Sequence, residues 1–165
     1  MAGKKTQEGP TGEAVRANVK RLRESQNLTF AELSRRLDAL GNPIPPLGLR
    51  RIEQGDRKVD VDDLMALAVA LRVAPSILLL PDTDSGDDQV EATGIRGITV
   101  QKLWEWILTG DAIPNEDGVT DLNFIINSVP RWSLDGKAIE AKARELRLLE
   151  WLSRGPMTRG DDDPR

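Results

Sequence analysis

Arg50 and Arg51 stand side by side in NPIPPLGLRRIEQG, residues 42–55, directly behind a turn that contains three prolines. A guanidinium is planar, charged at every working pH, and offers a fork of donors, so an adjacent pair on a short helix is suited to bidentate recognition of an anion or a polar edge. A stiff turn ahead of it reduces the entropy lost on docking. Little other chemistry is on offer. The chain has no Cys, which excludes disulfides and thiolate metal sites. It has no His, which removes the commonest general base and metal ligand. Its Asp and Glu show no paired-carboxylate motif and read as solvated faces. The chain is therefore expected not to be an enzyme, and to need no metal and no cofactor.

The elements that must position the arginines follow from periodicity and punctuation. Residues 1–11 lack any period and read as a disordered arm. A first helix is predicted from about Gly12 to Gln26, with Val15, Val19 and Leu22 on one face. TFAE matches a capping box, with Thr29 as N-cap and Glu32 three residues on, and opens a second helix on which Phe30, Leu33, Leu37 and Leu40 form one face. Gly41, Asn42 and Pro43 end it. Pro45 and Pro46 suit the first turn of a third helix, PLGLRRIEQ, which Gly55 stops. A fourth follows the N-cap Asp60 and turns Leu64, Leu67, Ala68 and Leu71 inward. A fifth starts near Ala74–Pro75 and ends at Pro81.

The totals agree with two small domains. The 165 residues are 39% hydrophobic and 30% charged, enough for a modest core. Residues 1–80 carry 13 Lys+Arg against 10 Asp+Glu, a net +3, while residues 81–165 carry 10 against 17, a net −7. The basic half is the better candidate to meet a polyanion. No apolar run approaches the roughly 18 residues of a membrane span, and MAGKKTQEGPTG has no apolar region of a secretory signal. A cytoplasmic location, with no membrane partner, is expected.

Four stretches then agree in order, spacing and caps: VKRLRESQNLTFAEL, LRRIEQGDRK, DLMALAVAL and VAPSILL. Over residues 12–80 the chain resembles the Xre/Cro-type helix-turn-helix family of phage and bacterial repressors. The resemblance implies that the third helix lies in a DNA major groove, with Pro46, Leu47, Gly48, Arg50 and Arg51 facing it. Leu47, Gly48, Arg50 and Arg51 are the implied base contacts. An arginine so placed can bind guanine O6 and N7, worth about 1–3 kcal/mol of discrimination. Leu47 would touch a thymine methyl, and Gly48 would permit close approach. Thr29, Gln54, Arg57 and Lys58 are the implied phosphate contacts. Arg23 and Glu53 match an ion pair that ties the first helix to the third. There are two departures. The turn between the second and third helices is longer than usual, and Phe30 stands where the family often has a phosphate-binding Gln.

Beyond an acidic linker at 81–91, residues 92–154 read as a smaller, mainly helical domain for assembly or partner binding, followed by an acidic disordered tail at 155–165. Thr99 can cap a helix in which Val100, Leu103, Trp104 and Ile107 share a face. In DLNFIINSV, residues 121–129, Phe and Ile-Ile favour strand, but Leu122, Ile125, Ile126 and Val129 have helical spacing and a helix is expected; Ser133 can cap a final helix with a wide apolar stripe. All four tryptophans fall in this half. They either fill a small core or line a ligand pocket. Trp104 and Trp106, two apart, cannot share a face, so one should be partly exposed. Trp104, Trp106, Leu148, Trp151 and Leu152 are the candidate assembly or partner residues. A homodimer through this half and a monomer on an asymmetric site both remain open, as does any small-molecule inducer.

The whole reads as an all-α protein: a five-helix helix-turn-helix domain followed by a smaller helical one. The expected function is that of a sequence-specific double-stranded DNA-binding transcriptional regulator, a repressor of phage or mobile-element type acting in phage immunity or a similar role. The alternative is an antitoxin or adaptor whose acidic half binds a protein and whose DNA binding is autoregulatory.

Overall fold

The computed structural model describes residues 8–109 and, beyond them, Phe124, Asn127, Ser128, Pro130 and Arg144 singly. The chain divides into two compact units, Met1–Leu108 and Thr109–Arg165. The described part of the first unit is mainly helical, with one small sheet.

Helix α1 spans Pro10–Ser25, with proline in its first turn where an N–H has no internal partner anyway. It starts earlier than periodicity suggests. Glu8, expected in a disordered arm, pairs with Arg16 at 3.1 Å. Asn27 takes φ 53 and reverses the chain after α1. Helix α2, Phe30–Ala39, begins at Thr29, whose side chain accepts from Glu32 N at 3.1 Å. Helix α3 is Pro46–Glu53, and Gly55, at φ +74, stops it as only glycine readily does. Helix α4, Val61–Ala70, is capped by Asp60, which accepts from Asp63 N at 2.8 Å. Helix α5 is Pro75–Leu79.

One core joins the five. Val15 and Val19 of α1, Leu33 and Leu37 of α2, Leu49 and Ile52 of α3, Leu67 and Leu71 of α4, and Leu78 of α5 are all buried in a single cluster. These are the i, i+3 and i+4 positions of each helix, so periodicity alone selects them. One anchor is polar. The Asn18 Nδ2 donates to the carbonyls of Ile77, Leu78 and Leu80 at 3.1, 3.2 and 2.6 Å. It thereby satisfies the buried end of α5, whose carbonyls would otherwise lack partners.

Past α5 the structure departs from expectation. Residues 89–91 are strand, not linker: β1, Gln89–Ala92, pairs antiparallel with β2, Ile95–Thr99. A two-residue turn at Thr93 and Gly94 joins them, with Gly94 at φ +85. Thr93 N donates to Thr11 Oγ1 at 2.8 Å, tying the turn to the start of α1. Helix α6, Val100–Thr109, follows directly. Its first N–H groups donate to Asp88 and Gly86 carbonyls at 3.0 and 2.9 Å, so the acidic stretch acts as a cap. Thr99 Oγ1 accepts from Lys102 N at 3.3 Å.

Of residues 121–129, Phe124, Asn127 and Ser128 are helical, and Ser128 Oγ donates to Phe124 O at 2.8 Å. The rest of that stretch and most of the predicted final helix lie outside the described residues.

Candidate nucleic-acid interface

Helix α3 has two faces set by spacing. Leu49 and Ile52 are fully buried, while Leu47, Arg50, Arg51 and Gln54, at i, i+3, i+4 and i+7, form one exposed stripe. Leu47 is 60% exposed, a high value for a leucine that follows two prolines on an ordered helix. Pro46, at the start of the helix, is exposed too.

The stripe is held from behind by three arrangements. In the first, Arg23 of α1 grips Glu53 with both forks: Nε to Oε1 at 2.6 Å and Nη2 to Oε2 at 2.9 Å. The two side chains are 11% and 7% exposed, so this is a buried pair. Arg23 Nη1 also donates to Leu28 O at 3.0 Å, which closes the turn leading into α2. Hydrogen bonding to Glu53 raises the Arg23 pKa above its ordinary value, burial opposing it and the charges of Glu53 and Glu24 adding to it. The stabilisation attached to that raised pKa is complete below the guanidinium's usual range and is lost only as pH climbs through a still higher value, so the bridge is no switch near neutrality.

The second arrangement explains the long turn. Ile44 in its middle is 1% exposed and joins the core. Ser34 Oγ donates to Ile44 O at 2.7 Å. Asn42 Nδ2 donates to Asp63 Oδ1 at 3.0 Å, and Arg57 Nη2 donates to Asp63 Oδ2 at 2.7 Å. Asp63, 5% exposed on the first turn of α4, therefore clamps both the chain entering α3 and the chain leaving it. The added residues are thus tied to the core and to α4.

The third arrangement concerns Phe30. Its ring packs against the core cluster, with the Arg23 guanidinium carbon 4.2 Å and the Arg50 guanidinium carbon 5.7 Å from its centroid. Both lie within cation–π range. The residue that departs from the family's usual Gln thus links the buried ion pair to an exposed arginine.

Several site residues sit differently from a simple expectation. The lack of a side chain at Gly48 is first a matter of its own fold: a Cβ there would meet Arg57 Nη1 at 3.0 Å and Ile44 Cγ2 at 3.1 Å. Arg57, expected at a phosphate, is engaged by Asp63 while staying 36% exposed. Gln54 and Lys58 are exposed. Thr29 is exposed, and its oxygen serves as the α2 cap. Of the two arginines of α2, Arg36 donates to Ala70 O at 3.0 Å, whereas the Arg35 side chain is 77% exposed. Leu47 and Arg51 border a shallow concavity of about 420 Å³ whose far wall is Asp56 and Arg57, so α3 and its exit loop make one surface. Trp104 and Trp106 are both exposed, at 37% and 36%, while Leu103 is the buried residue of α6. Leu148, Trp151 and Leu152 lie outside the described residues. Among the described residues no cluster could hold a metal ion, and no helix is long and apolar enough to cross a membrane.

Sequence reasoning missed Asp63 and Asn18 as buried polar anchors, and Asn42 as the partly buried partner of Asp63. The only signal was their type: short polar side chains able to serve backbone and cations at close range.

A short helix locked to a core on one face and exposing paired arginines on the other, with a capped helix crossing behind it, is the arrangement of a helix-turn-helix domain. Residues 19–78 match the family model described as Helix-turn-helix, and this segment of the chain is a helix-turn-helix domain of the Xre/Cro type. The match supports a DNA-binding transcription regulator, from a family that is regulatory and not typically enzymatic. No curated protein and no solved structure matches the chain.

Proposed function

We propose that the protein is a sequence-specific regulator that reads the major groove of double-stranded DNA with α3, and that it represses transcription at its operator by occluding polymerase, as phage and mobile-element repressors do. The observation that carries this reading is the exposed stripe of Leu47, Arg50, Arg51 and Gln54 on a helix locked from behind. Arg50 and Arg51 take the base edges, where guanine O6 and N7 accept two parallel hydrogen bonds. Leu47 supplies the apolar contact to a thymine methyl. Thr29, Gln54 and Lys58, with the exposed part of Arg57, hold the phosphates and set the register without reading sequence.

The test is selection of a random-sequence duplex pool by the full chain, followed by binding of the selected duplex at two salt concentrations with excess competitor DNA. A preferred sequence should emerge, with affinity falling steeply as salt rises. Arg50→Ala/Arg51→Ala should fold normally and lose the preference while keeping salt-dependent, non-specific binding. A pool that yields no preferred sequence, or a double variant that keeps the preference, rejects α3 as the reading helix.

A further inference from the structure

We infer that Phe30 is a positioning residue for Arg50, setting the aim of one base-reading guanidinium while leaving Arg51 free; this rests on the reading of α3 given above. The argument begins with flexibility. An exposed arginine on a helix of 8 residues rotates about several bonds, and confining it to one bidentate geometry costs entropy at the moment of binding. A guanidinium resting on an aromatic face loses part of that freedom beforehand, because attraction to the ring restricts both its position and its tilt.

Phe30 can do this because packing holds its own ring in place. It opens α2 directly after the Thr29 cap. Its ring packs on the buried cluster. Its other cationic neighbour, Arg23, is held by two hydrogen bonds to Glu53 and one to Leu28 O. The order of restraint therefore runs from Glu53 to Arg23, to the Phe30 ring, and from that ring to Arg50. Arg51, one residue further round the helix, has no such support: its side chain finds no partner among the described residues. The two arginines of the stripe are thus unequal. One arrives at DNA already aimed, and the other adapts on contact.

The experiment is a double-mutant cycle in the full chain: wild type, Phe30→Leu, Arg50→Ala, and the two combined, with Phe30→Tyr as the variant that keeps the ring. The probes are the duplex selected by wild type and the same duplex with each guanine changed in turn. The readout is the ratio of affinities, which a merely structural loss would leave unchanged once the folded fraction is equal by urea titration. Phe30→Leu should reduce discrimination at one guanine by about two- to five-fold, the range of an exposed cation–π contact. Phe30→Tyr should retain it. Phe30→Leu should have no further effect once Arg50 is alanine.

If Phe30→Leu costs the same with and without Arg50, or costs nothing, Phe30 does not act through Arg50 and the inference is overturned, while α3 remains the reading helix. If Arg50→Ala alone leaves discrimination intact at every guanine, the reading of the site has failed and the inference falls with it.

Discussion

Helices α3 and α6 are both short and amphipathic, and both turn part of their surface to solvent, yet they are built to opposite plans. Behind α3 lie a buried bidentate ion pair, a carboxylate clamp on the chain at both its ends, and an isoleucine plug in the turn before it. Its outer face is cationic. For α6 the structure shows no comparable set of polar anchors among the described residues: Leu103 is its buried residue, and Ile98 that of the hairpin before it. Its two tryptophans, Trp104 and Trp106, are both exposed but on different faces. Precise aim requires specific polar anchors, because apolar contact alone leaves a helix free to slide or rotate. A surface that merely associates needs no such anchoring. The difference supports the proposal that α3 reads bases, and it sets α6 apart.

The comparison can be broken by removing the anchors. Glu53→Gln leaves the Arg23 guanidinium in a nearly buried site without its carboxylate and should cost about 3 kcal/mol, read as a lower urea midpoint together with weakened specific DNA binding. A change under about 1 kcal/mol, the value of a surface pair, would mean the bridge is not a working anchor. Asp63→Asn removes the charge that Arg57 and Asn42 share and should cost about 2 kcal/mol. The α4 cap is untouched, since it uses Asp60. An unchanged midpoint would show that the long turn holds itself.

Smaller effects sharpen the contrast. Gly48→Ala gains helix propensity but crowds Ile44 and Arg57, for a net destabilisation of about 1 kcal/mol. If the alanine stabilises the domain yet impairs DNA binding, Gly48 serves the groove and not the turn. Trp106→Ala on α6 should leave DNA affinity within about twofold at equal folded fraction, well below the range of a base contact. A loss of about fivefold or more, the lower end of that range, would draw α6 into the interface.

Much of this organisation was legible in the chain itself, for local reasons. Thr29 and Asp60 announce helix starts, Pro46 and Pro75 occupy first turns, and Gly55 closes α3. Most buried leucines and isoleucines fall at helical spacing, so much of the core could be read before the fold; Leu28 and Ile44, buried outside the helices, could not, and Leu40, at that spacing, is exposed. The hairpin was hidden because its strands are four and five residues long and lie in polar surroundings, too short for alternation to stand out. Asp63 and Asn18 were hidden for another reason. Their partners are distant in sequence: Asn42 from Asp63, and Leu80 from Asn18. Periodicity shows which face turns inward, not which polar residue on that face will find a partner. Phe30 was visible as a departure from the family, but only its distance to two guanidiniums gave it a role. Gly48 was legible as a close approach, though of the protein to itself.

The most direct test of α3 as the reading helix is methylation interference on the selected duplex. Methylation of guanine N7 blocks the major-groove acceptor an arginine would use. With the wild-type chain, methylation of particular guanines should exclude the duplex from the bound fraction, and Arg50→Ala should abolish that sensitivity at one of them while Arg51→Ala abolishes it at another. Interference confined to minor-groove adenine N3, or guanine sensitivity untouched by either substitution, would contradict the assignment of α3 to the major groove.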